Sequence, residues 1–112
     1  MKINVGSAGE FEVQIGTRIH TCTIDVVPTW RNTPMLQLYD ESGPRLAVSY
    51  DDLTCCEIPC DSLLALRGVI IDAIRENWFY RCNISEVIIS PEWLKSIYNK
   101  WVTLMPSEGG KE

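Results

Sequence analysis

The sequence predicts an α+β fold: a small, mostly antiparallel sheet of about five or six strands packed against two amphipathic helices. Three observations predict it. The first half is rich in Thr, Val and Ile that alternate with polar residues, and Gly and Pro punctuate it. The second half switches to helical periodicity. The chain is 112 residues long, enough for one hydrophobic core and too short for a second. Residues 1–105 are therefore expected to form a single domain, with 106–112 as a flexible C-terminal tail.

Lys2–Val5 opens the chain as a strand, and Gly6-Ser7-Ala8-Gly9 turns it. In Glu10–Ile15, Phe11, Val13 and Ile15 share one face and Glu10, Glu12 and Gln14 the other, the mark of a half-buried strand. Gly16-Thr17 turns into a longer strand, Arg18–Val27, which Pro28 ends because proline cannot donate to a ladder. Thr29–Pro34 reads as a loop carrying Trp30. Met35–Asp40 and Arg45–Tyr50 form the clearest hairpin, closed by Glu41-Ser42-Gly43-Pro44. After a turn at Asp51-Asp52, Thr54–Ile58 is expected to continue the sheet.

Ser62–Asn77 has helical spacing, with Asp61 as its expected N-cap. Its apolar set, from Leu63 and Leu64 to Ile74, is wider than one stripe and predicts burial against the sheet. Gly68 at mid-helix suggests close approach to another backbone. Asn83–Ile89 is β-type, and a strand, helix and strand in that order permit a right-handed parallel crossover. Ser90-Pro91 then starts the second helix, with Ser90 as cap and Pro91 at the first helical position. Trp93, Leu94, Ile97, Tyr98 and Trp101 line one side of it, and Pro106 stops it.

Net charge is −5, with ten basic residues scattered among fifteen acidic ones. Binding to a phosphate backbone needs clustered Lys and Arg, so direct contact with nucleic acid is not expected. The N-terminal residues lack the apolar run of a signal peptide, and nothing approaches the ~18 apolar residues of a membrane span. A cytoplasmic protein is the resulting expectation.

Five cysteines, Cys22, Cys55, Cys56, Cys60 and Cys82, do not suggest a disulfide framework in such a setting. His20, Cys22, Cys56 and Cys60 are the weak candidates for a zinc site, which needs four converging N or S ligands; paired C-x₂-C knuckles are absent. Cys60, ahead of a helix, could be a nucleophile activated by the dipole, with His20 as its base, though Asp61 opposes the thiolate. Buried free thiols are the competing reading. No P-loop, dinucleotide fingerprint or nucleophile elbow occurs, so neither cofactor nor enzymatic activity is expected.

The acidic pairs Asp40-Glu41 and Asp51-Asp52 flank tight turns, where carboxylates are solvated and available to a basic partner. Trp30 and the run Trp78-Phe79-Tyr80 fall in connections, where large aromatics can anchor an interface. The hairpin Leu36-Gln37-Leu38-Tyr39-Asp40-Glu41-Ser42-Gly43-Pro44-Arg45-Leu46-Ala47-Val48 resembles the opening hairpin of small accessory proteins carried by phages and mobile elements. That resemblance admits a phage-type inhibitor or accessory role, and such proteins often act by binding and blocking a host factor. The expected function is thus a non-enzymatic protein-binding module. Its surface would comprise Asp40, Glu41, Asp51 and Asp52, with Trp30 and Trp78–Tyr80 as anchors. A homo-oligomeric structural subunit, joined through an open sheet edge or the aromatic helix, is the other reading without catalysis or metal.

Overall fold

Alternating burial organises the first half of the computed structural model, which describes residues 1–78 and 82–106. Strands β2 (Glu10–Ile15), β3 (Arg18–Pro28), β4 (Pro34–Asp40) and β5 (Gly43–Ser49) form an antiparallel sheet in the order β2-β3-β4-β5. Phe11 and Val13 of β2, Cys22, Ile24 and Val26 of β3, and Leu36 and Leu38 of β4 all point to the inner face. Strand β1 (Lys2–Val5) pairs in parallel with β6 (Glu86–Ile89), Ile3 opposite Val87, as a separate two-stranded sheet. The parallel pair is real but joins the chain's first strand, not a strand next to the long helix.

Three helices complete the α+β architecture. The expected strand Thr54–Ile58 is not one: α1 (Tyr50–Cys55) begins immediately after β5. The cause is a cap. Ser49 Oγ accepts from the Asp52 N–H at 3.0 Å, and Asp51 and Asp52 stand in the first turn, where carboxylates favour the helix dipole. For the long helix α2 (Leu63–Trp78), Ser62 and not Asp61 supplies the cap, its Oγ accepting from the Ala65 N–H at 3.1 Å. Helix α3 (Pro91–Leu104) starts as expected, with Ser90 Oγ accepting from the Trp93 N–H at 3.4 Å.

The helices and both sheets share one core. Leu66, Ile70, Ile74 and Trp78 of α2 and Trp93, Ile97 and Trp101 of α3 meet Ile3, Val5, Phe11 and Leu38 within it. Phe11 meets the Trp78 ring edge-on, centroids 5.9 Å apart. Leu63 and Leu64, expected inside, are 39 % and 76 % exposed, and burial on α2 begins at Leu66.

Two glycines behave differently. Gly9 has φ +76°, and a Cβ there would lie 2.7 Å from the Ile24 carbonyl oxygen and 2.5 Å from Trp93 Nε1. Only glycine fits that turn without a shift of backbone or indole. Gly68 has no such neighbour: a Cβ would meet nothing within 4 Å, so the expected close approach does not exist. Its helical backbone already suits alanine. Gly68→Ala is therefore expected to stabilise the fold by about 1 kcal/mol, seen as a higher urea midpoint at unchanged slope. An unchanged or lower midpoint would contradict this account.

Candidate functional site

The residues singled out in the sequence separate into two clusters at opposite ends of the β4–β5 ladder. Met35 lies opposite Ser49 at one end and Asp40 opposite Gly43 at the other. Five strand steps lead from Met35 to Asp40, about 17 Å. The four acidic residues therefore do not make one surface.

At the far end, Asp40 is not a surface charge. It shares strand parity with Leu36 and Leu38, so its side chain turns inward and is fully buried. His20 comes inward by the same parity on β3. A buried carboxylate needs partners. Asp40 Oδ2 accepts from Arg45 Nε at 2.7 Å, and Oδ1 accepts from the Ser42 N–H at 2.8 Å. His20 Nδ1 lies 2.9 Å from Glu41 Oε1 and 3.8 Å from Asp40 Oδ2. Burial alone raises the Asp40 pKa and is the largest single influence. The hydrogen bonds from Arg45 and Ser42, with the charges of Arg45 and His20, together outweigh it and hold the carboxyl below its usual value. Cys22, beneath the cluster, is pushed up to about 12 by burial and by the nearby Asp40 and Glu41.

His20, Asp40 and Glu41 bring ligand atoms within 4.8 Å of one another, and no other such trio occurs among the described residues. It is not the set read from the sequence. Cys22 and Cys60 are buried, Cys55 and Cys56 exposed, and His20 associates with carboxylates instead of thiols. A dication here would share Asp40 Oδ2 with the Arg45 guanidinium, which makes the cluster a poor cation cage and a good internal ion-pair network. Cys60 does not gain an activated thiol either, since burial and then Asp61 raise its pKa. Its carbonyl, not its sulfur, is engaged, accepting from Trp101 Nε1 at 3.0 Å.

At the near end stands the loop between β3 and β4. Thr29 and Thr33 close it: the Thr29 N–H donates to the Thr33 carbonyl at 2.8 Å, and their hydroxyls lie 2.7 Å apart. Thr29 Oγ1 also accepts from the Arg31 and Thr33 amides, each at 3.2 Å. Asn32 takes the left-handed conformation, φ +61°, which asparagine tolerates better than most residues. Thr33 Oγ1 then donates to Asp51 Oδ2 at 3.0 Å, tying the loop to the first turn of α1. Trp30 projects from this frame 92 % exposed, with the Arg31 guanidinium 5.8 Å from its ring centroid.

Trp30 and Asp51 are thus brought to one end, with Asp52 exposed on the next residue. Trp78 is not available: it is 1 % exposed and belongs to the core. Phe79 and Tyr80 lie outside the described residues. Arg31, Thr29, Thr33 and Arg45 were not anticipated. The signal for the threonines was their symmetric placement in Thr29-Trp30-Arg31-Asn32-Thr33, and for Arg45 the need of an inward Asp40 for a cation.

No helix among the described residues is long and apolar enough to cross a membrane. Fold and sites together define a small α+β protein with an internal ion-pair cluster and a presented tryptophan. No family model, curated protein or solved structure matches the chain.

Proposed function

We propose that the chain is a non-enzymatic protein-binding module that engages its partner through the Trp30 loop, with Arg31 beside the indole and Asp51 and Asp52 at the same end of the sheet. The carrying observation is the 92 % exposure of Trp30 on a loop whose backbone is fixed by four hydrogen bonds among its own residues and one to Asp51. Large aromatics are normally well buried. An indole held out on a rigid frame loses little conformational entropy on binding, which is the economy of an interface anchor. Asp51 and Asp52 favour a partner with basic groups around an apolar pocket. The narrower form of the reading, an inhibitor that blocks a host factor, needs only that this loop cover the partner's working surface.

Affinity capture from a lysate of the source cells, with the intact chain and with Trp30→Ala as baits, tests the reading. The variant should lose at least about 2 kcal/mol of binding, roughly 30-fold in affinity. Its folding stability should stay within about 0.5 kcal/mol of the parent. A partner retained equally by both baits would remove Trp30 as the anchor.

A further inference from the structure

Strands β1 and β2 are neighbours that do not form a ladder. A tight turn joins them: the Gly9 N–H donates to the Gly6 carbonyl at 3.0 Å, and the Gly6 N–H donates to the Glu10 carbonyl at 2.9 Å. Beyond that turn no backbone hydrogen bond links β1 to β2 among the described residues, and the two strands belong to different sheets. A cavity of about 460 Å³ opens between them. Lys2 and Asn4 line it from β1, Glu12 and Gln14 from β2, and Ile19 and Thr21 from the adjoining β3.

Backbone parity decides what faces that cavity. In a strand the N–H and C=O of one residue point to one side and those of the next residue to the other. The Val5 carbonyl accepts from the Ser90 N–H at 2.9 Å, so Ile3 and Val5 bond toward β6 and Lys2 and Asn4 direct their groups away from it. The bond from Gly6 to Glu10, two residues after Asn4, identifies that other side as the β2 side. On β2 the Gly9 carbonyl accepts from the Ile24 N–H at 3.0 Å, so Phe11 and Val13 bond to β3 and Glu12 and Gln14 direct theirs toward β1. Backbone donors and acceptors of Lys2 and Asn4 thus face those of Glu12 and Gln14 across the cavity, without partners among the described residues. Two such edges are a template for one more strand.

The side chains at the rim select the chemistry of that strand. Glu10 and Glu12 are exposed on the outer face and meet no cation among the described residues. The cations nearby are engaged: Lys2 Nζ lies 3.6 Å from Glu86 Oε1, and the Met1 ammonium donates to the Asn83 carbonyl at 2.8 Å. We propose that the cleft takes an extended segment of a partner protein as a strand between β1 and β2. Basic residues of that segment lie on the outer face beside Glu10 and Glu12, and apolar residues alternate with them toward Phe11. Its insertion joins the two sheets into one. A second copy of this chain, at −5, is the poorer electrostatic match. Ile19 and Thr21 border the cleft at one end of β3 and the Trp30 loop follows the other end, so either proposal can fail without the other.

Hydrogen exchange read by NMR tests this, because parity fixes a pattern. In the free chain the amides of Asn4, Glu12 and Gln14 should exchange at least about tenfold faster than that of Val13, which the ladder to β3 holds. The probe is a capped hexapeptide alternating lysine and valine. It should bind saturably and slow those three amides by about tenfold or more, leaving Val13 unchanged. A hexapeptide alternating glutamate and valine should bind at least about tenfold more weakly. Gln14→Pro removes a donor that the ladder to β3 does not use, and should abolish the protection at unchanged circular dichroism. Glu10→Gln with Glu12→Gln leaves the backbone alone and covers the case in which the proline variant fails to fold; it should weaken the lysine peptide by at least about threefold. Amides of Glu12 and Gln14 as slow as Val13 in the free chain would overturn the proposal. So would a lysine peptide that protects none of the three, or a doubled mass in its absence, which would assign the cleft to a second copy.

Discussion

Arg45→Ala is expected to cost about 2 to 4 kcal/mol at neutral pH, because it strands the fully buried Asp40 carboxylate without its cation. Arg45 is itself 29 % exposed, so solvent screens part of the pair and the lower half of that range is favoured. The pH dependence carries the sharper sign. In the parent chain the Asp40 pKa is lowered, so its contribution is complete above the ordinary carboxyl value and is lost as pH falls through the folded one. Without Arg45, burial has less to oppose it and the folded pKa rises above the ordinary value. Protonation then favours the folded variant. The stability gap between parent and variant should therefore narrow in urea titrations taken from neutral pH down to about pH 3. A gap that stays constant or widens in acid would show that Asp40 is not the group left uncompensated. Replacing both partners, as Asp40→Leu with Arg45→Met, should recover most of the loss, since the penalty belongs to the unpaired charge and not to the absence of an ion pair.

That cluster also shows what the sequence made legible. The strand alternation that turns Leu36 and Leu38 inward assigns Asp40 to the same face, and the one that buries Cys22 and Ile24 assigns His20. Expecting Asp40 on the surface gave residue type priority over parity, and parity won because the strand is covered on that side. Strands β1 to β5 and helices α2 and α3 were readable for the same reason: each presents a regular apolar face to a single core. Local chemistry overrode propensity at α1. Thr54, Cys55 and Ile58 suit a strand, but the Ser49 cap and the acidic first turn start a helix four residues earlier. Trp78 was misplaced by ending the helix at Asn77. One residue more continues the four-residue spacing from Ile70 through Ile74 into the core. The Trp30 frame was invisible for a different reason. Its hydrogen bonds run among side chains and amides of a loop, and its tie to Asp51 crosses eighteen positions of sequence.

Trp101 should show the largest stability effect of a single aromatic. It is fully buried, packs with its ring centroid 6.5 Å from that of Tyr50, and donates Nε1 to the Cys60 carbonyl at 3.0 Å. Tyr98, one turn earlier on α3, places its hydroxyl 3.4 Å from the Asp61 carbonyl. Helix α3 thereby holds the connection between α1 and α2, which has no strand or helix of its own. Trp101→Ala removes the ring and leaves a cavity, a loss of about 3 to 5 kcal/mol, a large share of the 5 to 15 kcal/mol typical of a whole domain. Trp101→Phe keeps most of the volume but takes the donor from a buried carbonyl, and should cost about 1 to 3 kcal/mol. The difference between the two variants separates packing from the hydrogen bond. Limited proteolysis adds a local readout: Trp101→Phe should expose Pro59–Asp61 to cleavage while the β3–β4 pairing stays protected. If Trp101→Phe matched the parent in both urea midpoint and cleavage pattern, the indole would be filler, and the connection would owe its position to the apolar contacts of Cys60 alone.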